Sequence, residues 1–160
     1  MQGIIVLACL LGYSVAGPIH ASCKLDWVIG QSCSDVKTAL VTQANTWHDA
    51  SNCPNGAGEK CLYTVKSDAD LKITLTHETP VHHYVDDITF TFAAGTTAGT
   101  CAVHGYSTSE TWYAVLDQST NYCNMRNLLE GANLHTTAGF LETTNDRICT
   151  QYSSHNCAKY

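Results

Sequence analysis

The segment from His77 to Asp87 holds the densest group of side chains that could do chemistry. His77, His82, His83, Asp86 and Asp87 lie within eleven residues of one another. Imidazole nitrogens and carboxylate oxygens bind zinc and other divalent ions. His82, His83 and Asp86 are therefore candidate metal ligands, and a metal-dependent hydrolase would use them. The competing interpretation is a polar connector between two strands, because no pair here has a recognised metal-binding spacing.

A second segment approaches a catalytic motif without completing it. Residues 105–109 read Gly-Tyr-Ser-Thr-Ser, one glycine short of the Gly-x-Ser-x-Gly nucleophile elbow. That elbow needs a strand, a sharp turn and a helix on a larger sheet than this chain can build. We therefore interpret the segment as a polar hairpin loop, and we predict no catalytic residue and no cofactor.

Aromatic residues form a third candidate group. Trp47, Phe90, Phe92 and Trp112 could converge with His77 between a helix and a sheet. A filled core is the ordinary outcome of such convergence. A cavity lined by these side chains would instead bind a small apolar ligand. The five residues are thus the candidate ligand-binding set.

Short runs between residues 61 and 116 alternate apolar and polar residues. A period of two is typical of a strand with one face in the core and one in water. We predict an antiparallel sheet of about five strands, over residues 61–65, 71–78 and 88–93 and beginning at residues 101 and 111. Residues 27–29 would either add an edge strand or pack on the core.

An amphipathic helix is predicted before this sheet. Ser34 can cap its start, as a side-chain oxygen accepts a hydrogen bond from a first-turn amide. Four apolar residues then recur at spacings that place them on one helical face, namely Val36, Leu40, Ala44 and Trp47. A second, short helix is predicted over residues 124–130.

Together these elements predict an α+β fold. One N-terminal amphipathic helix would pack on the antiparallel sheet, as a helix on an open sheet or as part of a partly closed barrel. Residues 1–16 are free of charged side chains and include an apolar run that is typical of a secretory signal peptide. We therefore expect residues 17–160 to form a single disulfide-rich extracellular domain.

Eight cysteines would follow the predicted cleavage site, and an even number in a secreted chain predicts a disulfide framework. Closing a short loop costs less entropy than closing a long one, which favours disulfides between cysteines close in sequence. This predicts the pairs 53–61, 149–157, 101–123 and 23–33. The last two pairs could equally exchange partners and tie the helix to the sheet. The eight residues are Cys23, Cys33, Cys53, Cys61, Cys101, Cys123, Cys149 and Cys157.

The charge balance limits the partners. The net charge is -6, and the eight lysines and arginines are scattered along the chain. Nucleic-acid binding needs a clustered basic surface, so we predict no nucleic-acid partner. After signal cleavage, no second apolar segment would anchor the chain in a membrane.

These observations predict a secreted, disulfide-stabilised, non-enzymatic binding protein. Its partner would be a small apolar ligand or an extracellular protein. One alternative is the metal-dependent hydrolase using His82, His83 and Asp86. The other is a defence factor or protease inhibitor that presents a disulfide-braced loop at residues 54–58.

Overall fold

The computed structural model describes residues 20–110 and 116–160. Within these ranges six strands form one sheet in the order β2-β3-β4-β5-β1-β6, and every neighbouring pair is antiparallel. The elements in chain order are β1 (Ser22–Ile29), α1 (Cys33–Thr46), β2 (Tyr63–Ala69), β3 (Lys72–Glu78), β4 (Val85–Ala94), β5 (Cys101–Ser109), α2 (Thr120–Gly131) and β6 (Leu141–Thr143).

Alternation along each strand produces the buried face of the sheet. In β4 the side chains of Ile88, Phe90 and Phe92 are buried, whereas Thr89 and Thr91 between them are only partly buried. The same alternation buries Leu25, Trp27 and Ile29 of β1. The predicted α+β class and antiparallel sheet are confirmed.

Helix α1 packs its apolar stripe on this buried face. Val36, Leu40 and Ala44 are fully buried, as their spacing predicts. The helix begins earlier than predicted. Ser32, not Ser34, caps it, because the Ser32 hydroxyl accepts a hydrogen bond from the Asp35 amide at 3.2 Å.

Two features of the predicted fold are wrong. The helix is not N-terminal to the sheet, since β1 precedes it and lies inside the sheet between β5 and β6. The described sheet also has six strands rather than about five, because β1 and the short β6 join it. Both pair across long stretches of sequence, which local periodicity does not reveal. The strand predicted from residue 111 falls on residues 111–115, outside the described residues.

Helix α2 covers the other part of the buried face and is longer than the predicted segment 124–130. It lies close to β5 at Gly105. A Cβ atom at that position would come within 2.8 Å of Met125 Sδ on α2 and of Leu25 Cδ1 on β1. Glycine therefore permits the close approach of α2 to the sheet.

Four disulfides connect the described elements: Cys23–Cys149, Cys33–Cys101, Cys53–Cys61 and Cys123–Cys157. The predicted 53–61 pair is confirmed, and Cys33–Cys101 ties α1 to β5 as the exchanged pairing proposed. The pairs 23–33, 101–123 and 149–157 are wrong. Loop-closure entropy describes the unfolded chain, whereas the fold places Cys149 directly beside Cys23 in an antiparallel bridge.

Neither helix in the described part of the chain is long and apolar enough to cross a membrane. The four disulfides are typical of extracellular proteins.

The long-range disulfide should stabilise the fold more than the short-range one. Cys23–Cys149 closes a separation of 126 residues and Cys53–Cys61 one of 8. Loop-closure entropy predicts losses of about 5 and about 2.5 kcal/mol in the free energy of unfolding when each pair is replaced by alanine. Urea unfolding of the two double variants measures the difference. An equal or larger loss for the short loop would contradict the prediction.

Candidate functional site

The buried face of the sheet changes from apolar to polar at one end. His77 of β3 pairs with Asp86 of β4, and Asp86 pairs with Ser109 of β5. These three residues form a row across the sheet, which we call the polar row. His77 and Asp86 are almost completely buried. Buried polar groups need hydrogen-bond partners, so the elements around this row are constrained to supply them.

Asp86 connects the sheet to α2. Its Oδ1 atom accepts a hydrogen bond from Ser109 Oγ at 2.6 Å, and its Oδ2 atom accepts one from Asn124 Nδ2 at 2.7 Å. Burial raises the pKa of Asp86, and the two hydrogen bonds oppose that rise. The negative charge of nearby Asp117 raises the pKa further.

Asp117 fixes the start of α2. Its carboxylate accepts hydrogen bonds from the amides of Ser119 and Asn121, at 3.1 and 3.0 Å, and from Asn121 Nδ2 at 2.8 Å. Ser107 Oγ in turn donates to Asn121 Oδ1 at 2.7 Å. The first turn of α2 is thereby held against β5.

Glu59 approaches the polar row from the loop that Cys53 and Cys61 close. The His77 Nε2 atom lies 2.9 Å from the Glu59 carbonyl oxygen, which holds the loop against β3. The Glu59 Oε2 atom is buried and has no hydrogen-bond partner. Burial, followed by repulsion from Asp86, raises the pKa of Glu59 to about 7, and Lys159 opposes this rise.

A cavity of about 240 Å³ separates these elements, and we call it the acidic cavity. Three carboxylates line it, from Glu59, Asp86 and Asp117. Its other lining residues are Thr79, His82, Tyr84, Ser109, Leu116, Gln118, Thr120 and Tyr160. Tyr160 donates a hydrogen bond to Gln118 Oε1 along the wall. The cavity thus combines carboxylates, which can pair with a positive charge, with aromatic and apolar surface.

The three predicted metal ligands have separate surroundings. His83 Nδ1 lies 2.6 Å from Glu78 Oε1 in an exposed pair, and the His82 ring stacks on Tyr84 with centroids 5.5 Å apart. Asp86 is held by Ser109 and Asn124. His82 and Asp86 line the acidic cavity and His83 does not. In residues 20–110 and 116–160, no group of three His, Cys, Asp or Glu side chains is arranged to hold a metal ion.

Three of the predicted ligand-binding aromatics, Trp47, Phe90 and Phe92, pack in the core or against it. Phe90 stacks on Trp27 with ring centroids 5.6 Å apart, and Phe92, two residues further along β4, is 4% exposed. Trp47 and His77 both pack against Tyr63, at centroid distances of 6.2 and 4.6 Å. These residues do not line the acidic cavity.

Burial lowers the pKa of His77 to about 4, so its ring is neutral at physiological pH. Trp112, the remaining member of the predicted ligand-binding set, lies outside the described residues.

A second concave region adjoins β6, but its main acidic group is already paired. Glu142 accepts hydrogen bonds from Trp27 Nε1 at 2.8 Å, Tyr122 Oη at 2.8 Å and Arg126 Nη1 at 3.3 Å. These contacts tie β6 and α2 to β1. We interpret this network as structural because each Glu142 oxygen already has a donor.

Sequence reasoning missed Glu59, Asp117 and Tyr160. Asp117 carried a usable signal, since an Asp-x-Ser-Thr sequence can mark the start of a helix. The sequence around Glu59 and Tyr160 has no such signal. Their positions depend on a loop and a C-terminal segment that disulfides hold in place.

The fold and site thus define a disulfide-stabilised α+β domain with an acidic cavity at the polar end of its sheet. Comparison with protein-family models, curated proteins and solved structures finds nothing that matches this chain.

The free energy of unfolding should fall less with rising pH when Glu59 is replaced by glutamine. The pKa of Glu59 is about 7 in the folded protein, against an ordinary value of 4.5 for the unfolded chain, so the folded state binds more protons between these pH values. Stability therefore falls as pH rises from about 4.5 to about 7. Glu59→Gln should be about 1–2 kcal/mol more stable than wild type at pH 8 and similar at pH 4, after discounting for partial exposure.

Urea unfolding at the two pH values provides the measurement. Asp70→Asn, at an exposed position in the β2–β3 turn, is the matched control and should leave the wild-type pH dependence intact. A wild-type pH dependence in Glu59→Gln would show that Glu59 titrates normally.

Proposed function

We propose that this chain is a secreted, non-enzymatic binding protein that holds a small polar ligand in the acidic cavity. One observation carries the proposal. Glu59 lines a cavity large enough for a small molecule, and its carboxylate has a buried Oε2 atom with no hydrogen-bond partner. A buried acceptor without a donor is costly to leave unpaired, and a ligand could supply the donor.

The disulfide framework supports a preformed site. Cys53–Cys61 closes the loop that carries Glu59, and Cys123–Cys157 ties α2 to the segment that carries Tyr160. Two walls of the cavity are therefore fixed covalently. A preformed site spends less binding free energy on ordering its own side chains. The same disulfides support an extracellular location.

A polar ligand has more support than the apolar ligand that the sequence suggested. Two of the aromatic residues that would have bound an apolar molecule, Phe90 and Trp47, pack against Trp27 and Tyr63. The acidic cavity instead combines three carboxylates, several hydroxyls and the Gln118 amide with aromatic and apolar surface. Its composition resembles that of a site in which a few polar groups orient the ligand.

The alternatives have less support. Metal-dependent hydrolysis would need ligands that the described residues do not bring together. The protease-inhibitor hypothesis retains an exposed, disulfide-closed loop, which contains a 3-10 turn at Pro54–Gly56. Incubation with a panel of proteases would test it, because an inhibitory loop must slow at least one of them.

Amide chemical shifts recorded by NMR test the binding function. The probes are single small amines, alcohols, carboxylates and sugars of up to about twelve non-hydrogen atoms, a size chosen for a cavity below the usual drug-site volume. We expect at least one probe to shift the lining residues saturably. Thr120→Trp places a large side chain at the cavity wall and should abolish those shifts.

Thr38→Trp adds the same side chain on the exposed face of α1 and should leave the shifts unchanged. Saturable shifts confined to other surfaces, or shifts that survive Thr120→Trp, would overturn the proposal.

A further inference from the structure

We propose that the ligand of the acidic cavity is a monovalent organic amine. Its protonated amino group would contact Glu59, and its small apolar or aromatic body would contact Tyr84 and Leu116. This inference rests on the proposed binding function and specifies the chemical class of its ligand.

Charge selects a cation. Three carboxylates line the cavity, and no Lys or Arg is among its described lining residues. An anionic ligand would meet repulsion from those of the three that are ionised. An ammonium group donates charge-assisted hydrogen bonds to carboxylate oxygens, which are shorter and stronger than neutral ones. The cavity therefore favours a positive ligand over a neutral or negative one of the same shape.

Hydrogen bonding selects Glu59 as the principal contact. Asp86 already accepts bonds from Ser109 and Asn124, and Asp117 accepts three bonds at the start of α2. Glu59 differs because its Oε2 atom is buried without a donor. A primary ammonium group carries three donors, so it can satisfy Glu59 and still reach a second acceptor.

The nearby lysine does not fill this role. Lys159 Nζ donates to Tyr160 Oη at 2.6 Å and lies 4.5 Å from the centre of the Tyr160 ring. Within the described part of the chain, Glu59 makes no ion pair. The protein thus places a cation beside the cavity but leaves the Glu59 oxygen unpaired.

The cavity rim suits an apolar body attached to the amino group. Leu116 is 70% exposed and Tyr84 is 52% exposed, although the first side chain is apolar and the second is largely so. Both line the cavity. A volume of about 240 Å³ lies between a benzene-sized cavity of about 150 Å³ and drug sites of about 300 Å³ or more. An amine of roughly eight to twelve non-hydrogen atoms fits this interval.

Binding should release a proton near neutral pH. The pKa of Glu59 is about 7 in the free protein, so about half of the molecules carry a neutral Glu59 at that pH. Only the carboxylate attracts an ammonium group strongly, so the O–H bond breaks on binding and the proton goes to solvent. The ionisable groups around Glu59 come from every neighbouring element: Tyr63, His77, His82, Tyr84, Asp86, Asp117, Lys159 and Tyr160.

Calorimetric titration with three matched probes tests the inference. 2-Phenylethylamine is cationic from pH 6 to 8, 2-phenylethanol is neutral and 3-phenylpropionate is anionic. We expect the amine to bind most tightly, with about a tenfold gain in affinity from pH 6 to pH 8 as Glu59 loses its proton. The alcohol should bind more weakly and without that pH dependence, and the anion should not bind.

Two variants locate the effect. Glu59→Gln should lower the affinity for the amine at least tenfold at pH 8 and remove its pH dependence. Asp70→Asn has the same charge change at an exposed turn and should match wild type. Repeating the titration in buffers of different ionisation enthalpy counts the protons released, which should fall to zero in Glu59→Gln.

The outcomes separate this inference from the proposed function. If the alcohol or the anion shifts the lining residues by NMR and the amine does not, the amine class is wrong and the binding function stands. Amine affinity that is unchanged in Glu59→Gln overturns the inference as well. If no small molecule shifts those residues, both proposals fail.

Discussion

The rest of the site depends on the hydrogen bonds of the buried Asp86 carboxylate. A carboxylate taken out of water requires donors, and here Ser109 supplies one from the sheet and Asn124 one from α2. These two hydrogen bonds set the position of α2 along β4 and β5. Asp117, just before α2, is fixed with it through its hydrogen bonds to the amides of Ser119 and Asn121. Asp117 thereby becomes one wall of the acidic cavity.

The opposite wall follows from a different constraint. The loop with Glu59 is closed by Cys53–Cys61 and held against β3 by the contact between His77 Nε2 and the Glu59 carbonyl. The His77 Nε2–H group donates to this carbonyl, and burial lowers the pKa of the ring, which is therefore neutral. One wall of the cavity is therefore placed by the hydrogen bonds of Asp86 and the other by His77 and a disulfide. Tyr63 of the core contacts both, since it packs against His77 and donates a hydrogen bond to the Asn124 carbonyl.

Local periodicity was enough to predict the strands at the centre of the sheet and the apolar stripe of α1. Ile88, Phe90 and Phe92 alternate within five residues, and Val36, Leu40 and Ala44 recur every four. The position of β1 was not predictable in this way. Its residue Cys23 pairs with Ser107 of β5 and bridges to Cys149, and each contact spans more than eighty residues.

The candidate site was predictable only in part, for the same reason. His82 and Asp86 do line the cavity, but the residues that give it its chemistry lie far from them in sequence. Glu59 precedes Asp86 by 27 residues and Asp117 follows it by 31. The dense group of His and Asp residues indicated the correct end of the sheet. It did not indicate which other residues lie beside Asp86 there.

Three carboxylates at one cavity work against folding at neutral pH. Burial raises the pKa of Glu59 and of Asp86, and nearby negative charge adds to the rise, from Asp86 at Glu59 and from Asp117 at Asp86. A raised acid pKa means that the charged form is less stable in the folded protein than in the unfolded chain. Four disulfides offset this cost by restricting the unfolded chain. Proteins tend to depart from locally favourable arrangements at functional sites and to recover the stability elsewhere. A cation in the cavity would remove the conflict, which is the physical reason to treat this end of the sheet as a binding site rather than as a defect of packing.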